Sequence, residues 1–326
     1  VERSRGLGDV YKRQTLFINL LHKPSSALEA IMLVEAVKKA TEKGEVYASI
    51  RNGGAIAMIT KVKRRELLEN IDNWNRLIAF PDYELNKMVI DIVNGKILEL
   101  DGSEVKIPII RLGNIAEVVG LAVRRGTFHD VFKQIPSKVP SAIPALIGGD
   151  ERFRVKILVK PNSWVVATKR EYLSTASKFL VPDRIWVDTA HAIALYSEEP
   201  IVASMFFSLK PKNNSIGDKH LKALILWLNT TWGLLTILSE RTETRGRWIE
   251  LTKLKWKLLP VLNIVSLDSG TIDNLVKVFE KYVDKPLKRI PDQFDPNNPD
   301  PIRLGIDKEF IKVFKLSLDD LSLIHI

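Results

Sequence analysis

Pro81-Asp82 is followed 22 residues later by Glu104-Val105-Lys106, the Pro-Asp…Glu-x-Lys pattern of magnesium nucleases. In that chemistry Asp82 and Glu104 hold the metal, and Lys106 orients or activates the attacking water. A plainer reading is favoured, because the pattern arises easily by chance in a chain with 27% charged residues. Asp82 suits the start of a helix, where a carboxylate meets the positive end of the dipole. Glu104 and Lys106 then share one face of a hairpin strand as solvated charges. The five histidines (His22, His129, His191, His220 and His325) are scattered without metal-ligand spacing. Asp188 and His191, in "DTAH", read as a strand or turn feature rather than a dyad. The sequence has no G-x-S-x-G, no Gly-rich phosphate loop and no H-E-x-x-H. It has no cysteine, which excludes disulfides, thiolate catalysis and cysteine zinc sites.

Contact with a polyanion is the other chemistry on offer. From Ser239 to Lys257 there are six basic and three acidic residues: Arg241, Arg245, Arg247 and Lys253 stand among Thr242, Thr244 and Gly246. Arginine forks and threonine hydroxyls can contact phosphates and base edges, and glycine lets the backbone come close. Residues 151–170 hold six basic residues against one acidic and end in Lys169-Arg170, while Arg124-Arg125 precede another Gly-Thr pair. Any one of these is an ordinary solvated face. The net charge of +10 alone allows either nucleic acid or an anionic membrane surface as partner, and three basic segments in one chain favour nucleic-acid binding. Trp164, Trp186, Trp227, Trp232, Trp248 and Trp256 are able to stack on bases, but most sit at strand or helix positions where core packing is the default.

These residues need elements to hold them, and 45% hydrophobic content is enough for a sizeable core. "TLFINLL" predicts a strand, and Ser25-Ser26 cap a helix from about Ala27 to Glu42. "AIAMITKV" predicts a strand entered through "RNGG". Leu85, Val89 and Ile92 keep helical spacing after Pro81. "ILELDGSEVKIPII" reads as a hairpin turning at Asp101-Gly102. "SAIPALIG", "RVKILVKP", "KFLVPDRIWV", "AIALYSE", "IVASMFFSLKP" and "WIEL" are strand-like. A single buried helix is expected over 219–240, with further helices near 270–284 and 302–316. "PDQFDPNNPDP" is the clearest boundary. Ala223–Ser239 is too short for a membrane span and carries Asn229, Thr230, Thr231 and Thr236. The fold class is α+β, with no membrane partner.

The helix and its exit, "HLKALILWLNTTWGLLTILSERTETRGRWIELTKLKWKLLPVL", resemble the closing unit of target-recognition domains in N-6 adenine DNA methyltransferases of restriction–modification systems. "FLVPDRIWVDTAHAIALYSEEPIVASMFFSLKP" resembles the paired strands before that helix. "WNRLIAFPDYEL", "IPIIRLGNIAEVVG", "SAIPALIGG" and "DPIRLGIDKEF" fall in the same order, so the likeness covers roughly residues 15 to 316. It implies a Rossmann-like domain that binds S-adenosylmethionine and an Asn-Pro-Pro-aromatic motif that receives a flipped adenine. This sequence holds neither motif. "TLFINLLHKPSSALEAIMLV" looks like only the last strand and helix of that domain, so the fragment should bind no S-adenosylmethionine and methylate nothing alone. Its missing N-terminal catalytic region is then a partner within the same polypeptide. The implied divisions are a methyltransferase remnant over 15–95, a β-rich DNA target-recognition domain over 96–265 with the long buried helix, and a helical tail over 266–320. "GLGDVYKRQ" and "LSLIHI" resemble translated sequencing adapter, so residues 1–14 are expected to be non-native. Those 14 residues hold four basic and two acidic side chains, and without them the charge falls from +10 to +8. With no signal peptide visible and no cysteine, a cytoplasmic protein is expected.

Overall fold

A computed structural model of the chain describes residues 45–52, 55–63, 76, 79–80, 83–98, 104–120, 125–148, 154–240, 242–243 and 248–316. The strand and helix expected before residue 45 lie outside these residues. The chain divides into two compact units, Val1–Asp91 and Ile92–Ile326.

In the first unit, β1 (Glu45–Asn52) and β2 (Ala55–Lys63) form an antiparallel hairpin, paired from Glu45↔Lys63 to Asn52↔Ala55. β2 contains the strand expected in "AIAMITKV", and the glycines after Asn52 suit a two-residue connection. α1 (Tyr83–Val93) follows, with Val89 and Ile92 buried and Leu85 half-buried on the face that the helical spacing predicts. Asn86 ties the incoming chain to it: its side-chain oxygen accepts from the Phe80 N–H at 2.7 Å, and its amide donates to the Phe80 carbonyl at 2.8 Å.

The second unit opens with the expected hairpin, β3 (Lys96–Leu98) and β4 (Glu104–Lys106); its Asp101-Gly102 turn lies outside the described residues. Next come β5 (Ile109–Arg111), α2 (Leu112–Ile115), β6 (Ala116–Val119), α3 (Arg125–Val131), β7 (Phe132–Ile135), β8 (Ile143–Leu146) and β9 (Ser163–Ala167). β10 (Ser177–Pro182), β11 (Arg184–Trp186), β12 (Leu195–Ala203) and β13 (Phe206–Pro211) follow. Seven of these strands form one curled sheet in the order β6-β13-β10-β12-β8-β9-β7, with only the β12–β8 pair parallel.

Two sequence expectations change here. "RVKILVKP" is not a strand, apart from one bridge between Leu158 and Tyr196, because its backbone is satisfied by separate elements. Leu158 N–H donates to Val283 and Val159 N–H to Tyr196, while Val155 accepts from Leu287. "KFLVPDRIWV" divides at Asp183 into β10 and β11, which belong to different sheets.

The single helix expected over 219–240 is two: α4 (Asp218–Leu228) and α5 (Thr231–Ser239), bent by 74°. Hydrogen bonds at the break decide this against the unbroken apolar spacing. Thr230 Oγ1 accepts from Gly233 N–H at 3.0 Å and so caps the new helix. Asn229, fully buried, accepts from Ile193 N–H at 2.9 Å and donates to the carbonyls of Ala194 (2.8 Å) and Ile225 (2.9 Å). Among the described residues no single helix is long and apolar enough to cross a membrane; the bent pair passes only when its two helices are taken together.

β14 (Thr242–Glu243), β15 (Trp248–Glu250), α6 (Lys253–Leu258) and β16 (Pro260–Leu262) follow the bend, then α7 (Ser269–Tyr282), α8 (Ile290–Gln293) and α9 (Pro301–Phe314). α9 closes over the bend. Phe310 and Phe314 meet Trp227 edge-on at 5.5 and 6.0 Å, and Trp227 stacks on Trp232 at 6.4 Å. The Pro/Asn/Asp segment before α9 is anchored at Gln293 and Asp300, both buried, with residues 295–298 exposed between them, and Asp300 caps α9 by accepting from Ile302 N–H at 2.7 Å.

Candidate nucleic-acid interface

β14 pairs with β15 through Thr242↔Glu250 and Glu243↔Ile249, and β15 pairs with β11 through Trp186↔Trp248 and Arg184↔Glu250. This three-stranded sheet is fastened to the end of β10. Leu251 N–H donates to the Asp183 carbonyl at 2.9 Å, and the indole of the buried Trp256 donates to the Pro182 carbonyl at 2.8 Å. Thr244, Arg245, Gly246 and Arg247 join the two strands in sequence; with Arg241 they lie outside the described residues, and Thr242 is described only as a strand residue. The basic segment is therefore bracketed by a hydrogen-bonded hairpin at the exit of α5.

Lys253 is exposed at the first position of α6, which Thr252 caps by accepting from Lys255 N–H at 3.3 Å. Lys255 is turned inward instead. Its ammonium donates to the Glu240 carbonyl, and burial lowers its pKa against the pull of Glu240 and Glu250. Leu254 and Leu258 are exposed on the same short helix.

The helix that Arg125 opens and the residues that follow β9 are joined at the far end of the sheet. Arg124 lies outside the described residues; Arg125 opens α3, its side chain undescribed. The last residue of α3 is held by Thr168, whose N–H and hydroxyl both donate to the Val131 carbonyl, at 2.8 and 2.9 Å. Lys169 and Arg170 follow directly and are exposed. Beneath them Phe128, Phe132, Val165 and Val202 form a buried cluster against which Tyr172 packs. The six residues of β10 lie between this end and the β14–β15 hairpin, a strand length of about 20 Å.

Residues 151–170 do not act as one basic unit. Arg154 is only 3% exposed, donates to the Arg184 carbonyl at 3.3 Å and lies 4.8 Å over the Phe206 ring. Lys156 pairs with Asp284 at 2.8 Å and holds that carboxylate below its usual pKa. Lys160 is exposed, and Arg152 lies outside the described residues. Trp227, Trp232 and Trp256 are buried in the core, where no base can reach them.

For the nuclease pattern, Glu104 and Lys106 are exposed two residues apart on β4, as the hairpin reading expects. Glu104 pairs with Lys96 at 2.9 Å, and Asp82 lies outside the described residues. Among the described residues no three acidic or histidine side chains are placed to share a metal. His191 Nδ1 lies 2.6 Å from the Leu287 carbonyl, fixing the "DTAH" turn to the chain after α7. The sequence did not single out Lys133 or Lys138. Lys133 is exposed on the edge strand β7, and Lys138 lies 5.0 Å over the Trp164 ring. Strand register puts Lys133 opposite Val166, and Lys138 over Trp164, along the strand that leads to Lys169, a relation that spacing along the chain does not display.

No protein-family model matches this chain, and no curated protein does. Solved structures similar to it include restriction–modification proteins. One is the type IIG restriction endonuclease BpuSI, with a TM-score of 0.52 and 15% identity over 92% of this chain and 38% of that one. Others are the HsdS subunit from Thermoanaerobacter tengcongensis (TM-score 0.32, 12% identity, 84% of this chain and 66% of that one) and a chain of a type I restriction–modification system (TM-score 0.34, 12% identity, 90% and 65%). The likeness to BpuSI is one of fold, and this chain spans well under half of that protein's length.

Proposed function

We propose that this chain recognises double-stranded DNA as part of a restriction–modification enzyme. The observation that carries the reading is the fold shared with a type IIG restriction endonuclease over 92% of the chain. The basic segment at the β14–β15 hairpin supports it, because arginines between paired strands suit phosphate and base-edge contacts. Within that class, the resemblance of residues 15–316 favours the C-terminal part of an N-6 adenine DNA methyltransferase. S-adenosylmethionine and the base-flipping pocket then belong to a catalytic region of the same polypeptide, N-terminal to this part, in the cytoplasm. Arg241, Thr242, Thr244, Arg245, Gly246, Arg247 and Lys253 would contact DNA from the hairpin side, and Arg124, Arg125, Lys169 and Arg170 from the other end of β10. Titration of the chain into a duplex at low and moderate salt tests this. Affinity that falls steeply with salt is expected, since neutralised phosphates release counterions. No binding at low salt, or binding indifferent to salt, overturns the proposal. Among the described residues, neither the magnesium-nuclease reading nor a basic module without DNA gains a specific supporting contact.

A further inference from the structure

The cations of the second unit divide by whether they are already neutralised. On the side built from α4, α7 and the start of β10, four lysines are paired, Lys178 with Asp218 at 2.9 Å, Lys219 with Asp273 at 2.6 Å, Lys222 with Glu280 at 2.5 Å and Lys156 with Asp284 at 2.8 Å, while Lys277, Lys281 and Lys285 are exposed without an ion pair among the described residues. At the β7–β9 end of the sheet Lys133, Lys138, Lys169 and Arg170 are all exposed, and none forms an ion pair among the described residues. Two carboxylates at that end, Asp130 and Glu171, are exposed and equally unpaired among the described residues.

Register sets the spacing. Ile135 lies opposite Trp164 and Lys133 opposite Val166, so Lys138 (over the Trp164 ring), Lys133 and the Lys169-Arg170 pair follow one another along the β7–β9 edge. The five residues from Trp164 to Lys169 extend this row over about 17 Å. Duplex DNA presents roughly ten phosphate charges over that length, both strands counted. An acidic protein partner would also be attracted, and Val139 and Leu173 are exposed close in sequence to Lys138 and Arg170, but a line of unpaired cations along one strand edge matches the repeating charges of a phosphate backbone.

We infer that Lys133, Lys138, Lys169 and Arg170 form a second DNA-contact surface, which grips the duplex backbone without reading sequence and is separate from the β14–β15 hairpin. This rests on the DNA-recognition reading proposed above. The competing account is that Lys133 merely guards an exposed sheet edge against pairing with other chains.

The test compares Lys133→Gln/Lys169→Gln/Arg170→Gln with Lys156→Gln/Lys219→Gln/Lys222→Gln, which removes the same formal charge from the paired side. Each chain is titrated with a fixed DNA duplex and with a duplex of scrambled sequence across a salt series, and its size is followed by light scattering. Loss of phosphate contacts flattens the salt slope by about one unit per residue. The first triple variant should therefore flatten by about three units on both duplexes and stay monodisperse, while the second keeps the wild-type slope. Equal losses in the two triples reduce the effect to net charge and overturn the inference. So does a first triple that binds like wild type, including one that aggregates while doing so. Wild-type binding beside an unchanged first triple removes only this surface, whereas wild type that binds neither duplex removes the DNA reading with it.

Discussion

Gly233 sits in the first turn of α5, immediately after the bend, and its missing side chain is what lets α5 pass the end of α4. A Cβ placed there would lie well inside contact distance of the Trp227 carbonyl oxygen, 2.9 Å from Leu228 Cα and 3.0 Å from the Trp227 carbonyl carbon. All three obstructing atoms are backbone, in a helix whose Trp227 and Leu228 are fully buried, so none can swing aside. Gly233→Ala therefore combines a helix-propensity gain of about 1 kcal/mol with overpacking of about 3 kcal/mol or more. The clash wins, and a net loss of about 2 kcal/mol should lower Tm by roughly 4–8 °C in a unit of this size. Gly305→Ala is the matched control. It lies inside α9, and its Cβ would meet the half-buried Tyr282 ring, 2.7 Å from Cζ, a side chain that can rotate. Gly305→Ala should stay within about 1 kcal/mol of wild type, because the propensity gain offsets a small displacement. Urea and thermal melts of both variants provide the readout. If Gly233→Ala melted at or above wild type, the close crossing of α4 and α5 would be wrong.

Replacing Arg245 and Arg247 together with Ala should weaken duplex binding and leave the melting temperature unchanged; a variant that loses thermal stability but keeps its affinity would make these arginines a helix-end cap. Stability should rise between pH 7 and pH 5, by about 1 kcal/mol, because burial pushes Asp307 up to about 6 from an unfolded value near 3.8. The sign follows because a raised folded pKa contributes stability that is complete below 3.8 and lost as pH rises through about 6. Asp268, Asp273 and Asp284, held low by Thr271, Lys219 and Lys156, act oppositely and lose their contribution only below the ordinary carboxylate range. Urea midpoints across this range should therefore climb in wild type and climb less in Asp307→Asn; equal slopes would assign the effect elsewhere.

Elements whose pattern is local were legible in the sequence. α1, the β3–β4 pair and α7 follow from apolar spacing and alternation that the structure uses as read, whereas "IVASMFFSLKP" divides between β12 and β13. The bend was not legible. Leu221, Leu224, Ile225, Leu228, Trp232 and Leu235 keep helical spacing straight through it, and the break at Asn229 is held by the local Thr230 cap together with partners far along the chain (Ile193, Ala194 and Asp307). Burial of charge was equally hidden. Arg154 and Lys169 look alike in a count of basic residues, yet one stacks on Phe206 in the interior and the other faces solvent. Lys133 escaped notice because an isolated lysine acquires meaning only when β9 is laid beside it.

The C-terminal helix supplies the buried partners that hold the start of α5. Asp307 accepts from Thr231 N–H at 2.9 Å and from Thr231 Oγ1 at 2.5 Å, so the first turn of α5 takes its buried hydrogen-bond partner from α9. Arg303, fully buried, donates through Nε to Gln293 Oε1 and through a terminal nitrogen to the Asn229 carbonyl at 2.8 Å. Its charge is compensated by Asp307 and Asp300, which favour the ionised guanidinium against burial. Removing one member of such a group leaves the other charge buried without compensation, at about 3–5 kcal/mol, more than a single exposed pair contributes. The "LNTT" sequence at 228–231 is thus the meeting point of α4, α5, β12 and α9, and α5 leads within three residues to Thr242. A chain cut before α9 would expose the Trp227–Trp232 stack and orphan Thr231 N–H, so the orientation of α5, and of the hairpin it feeds, depends on residues some sixty positions downstream.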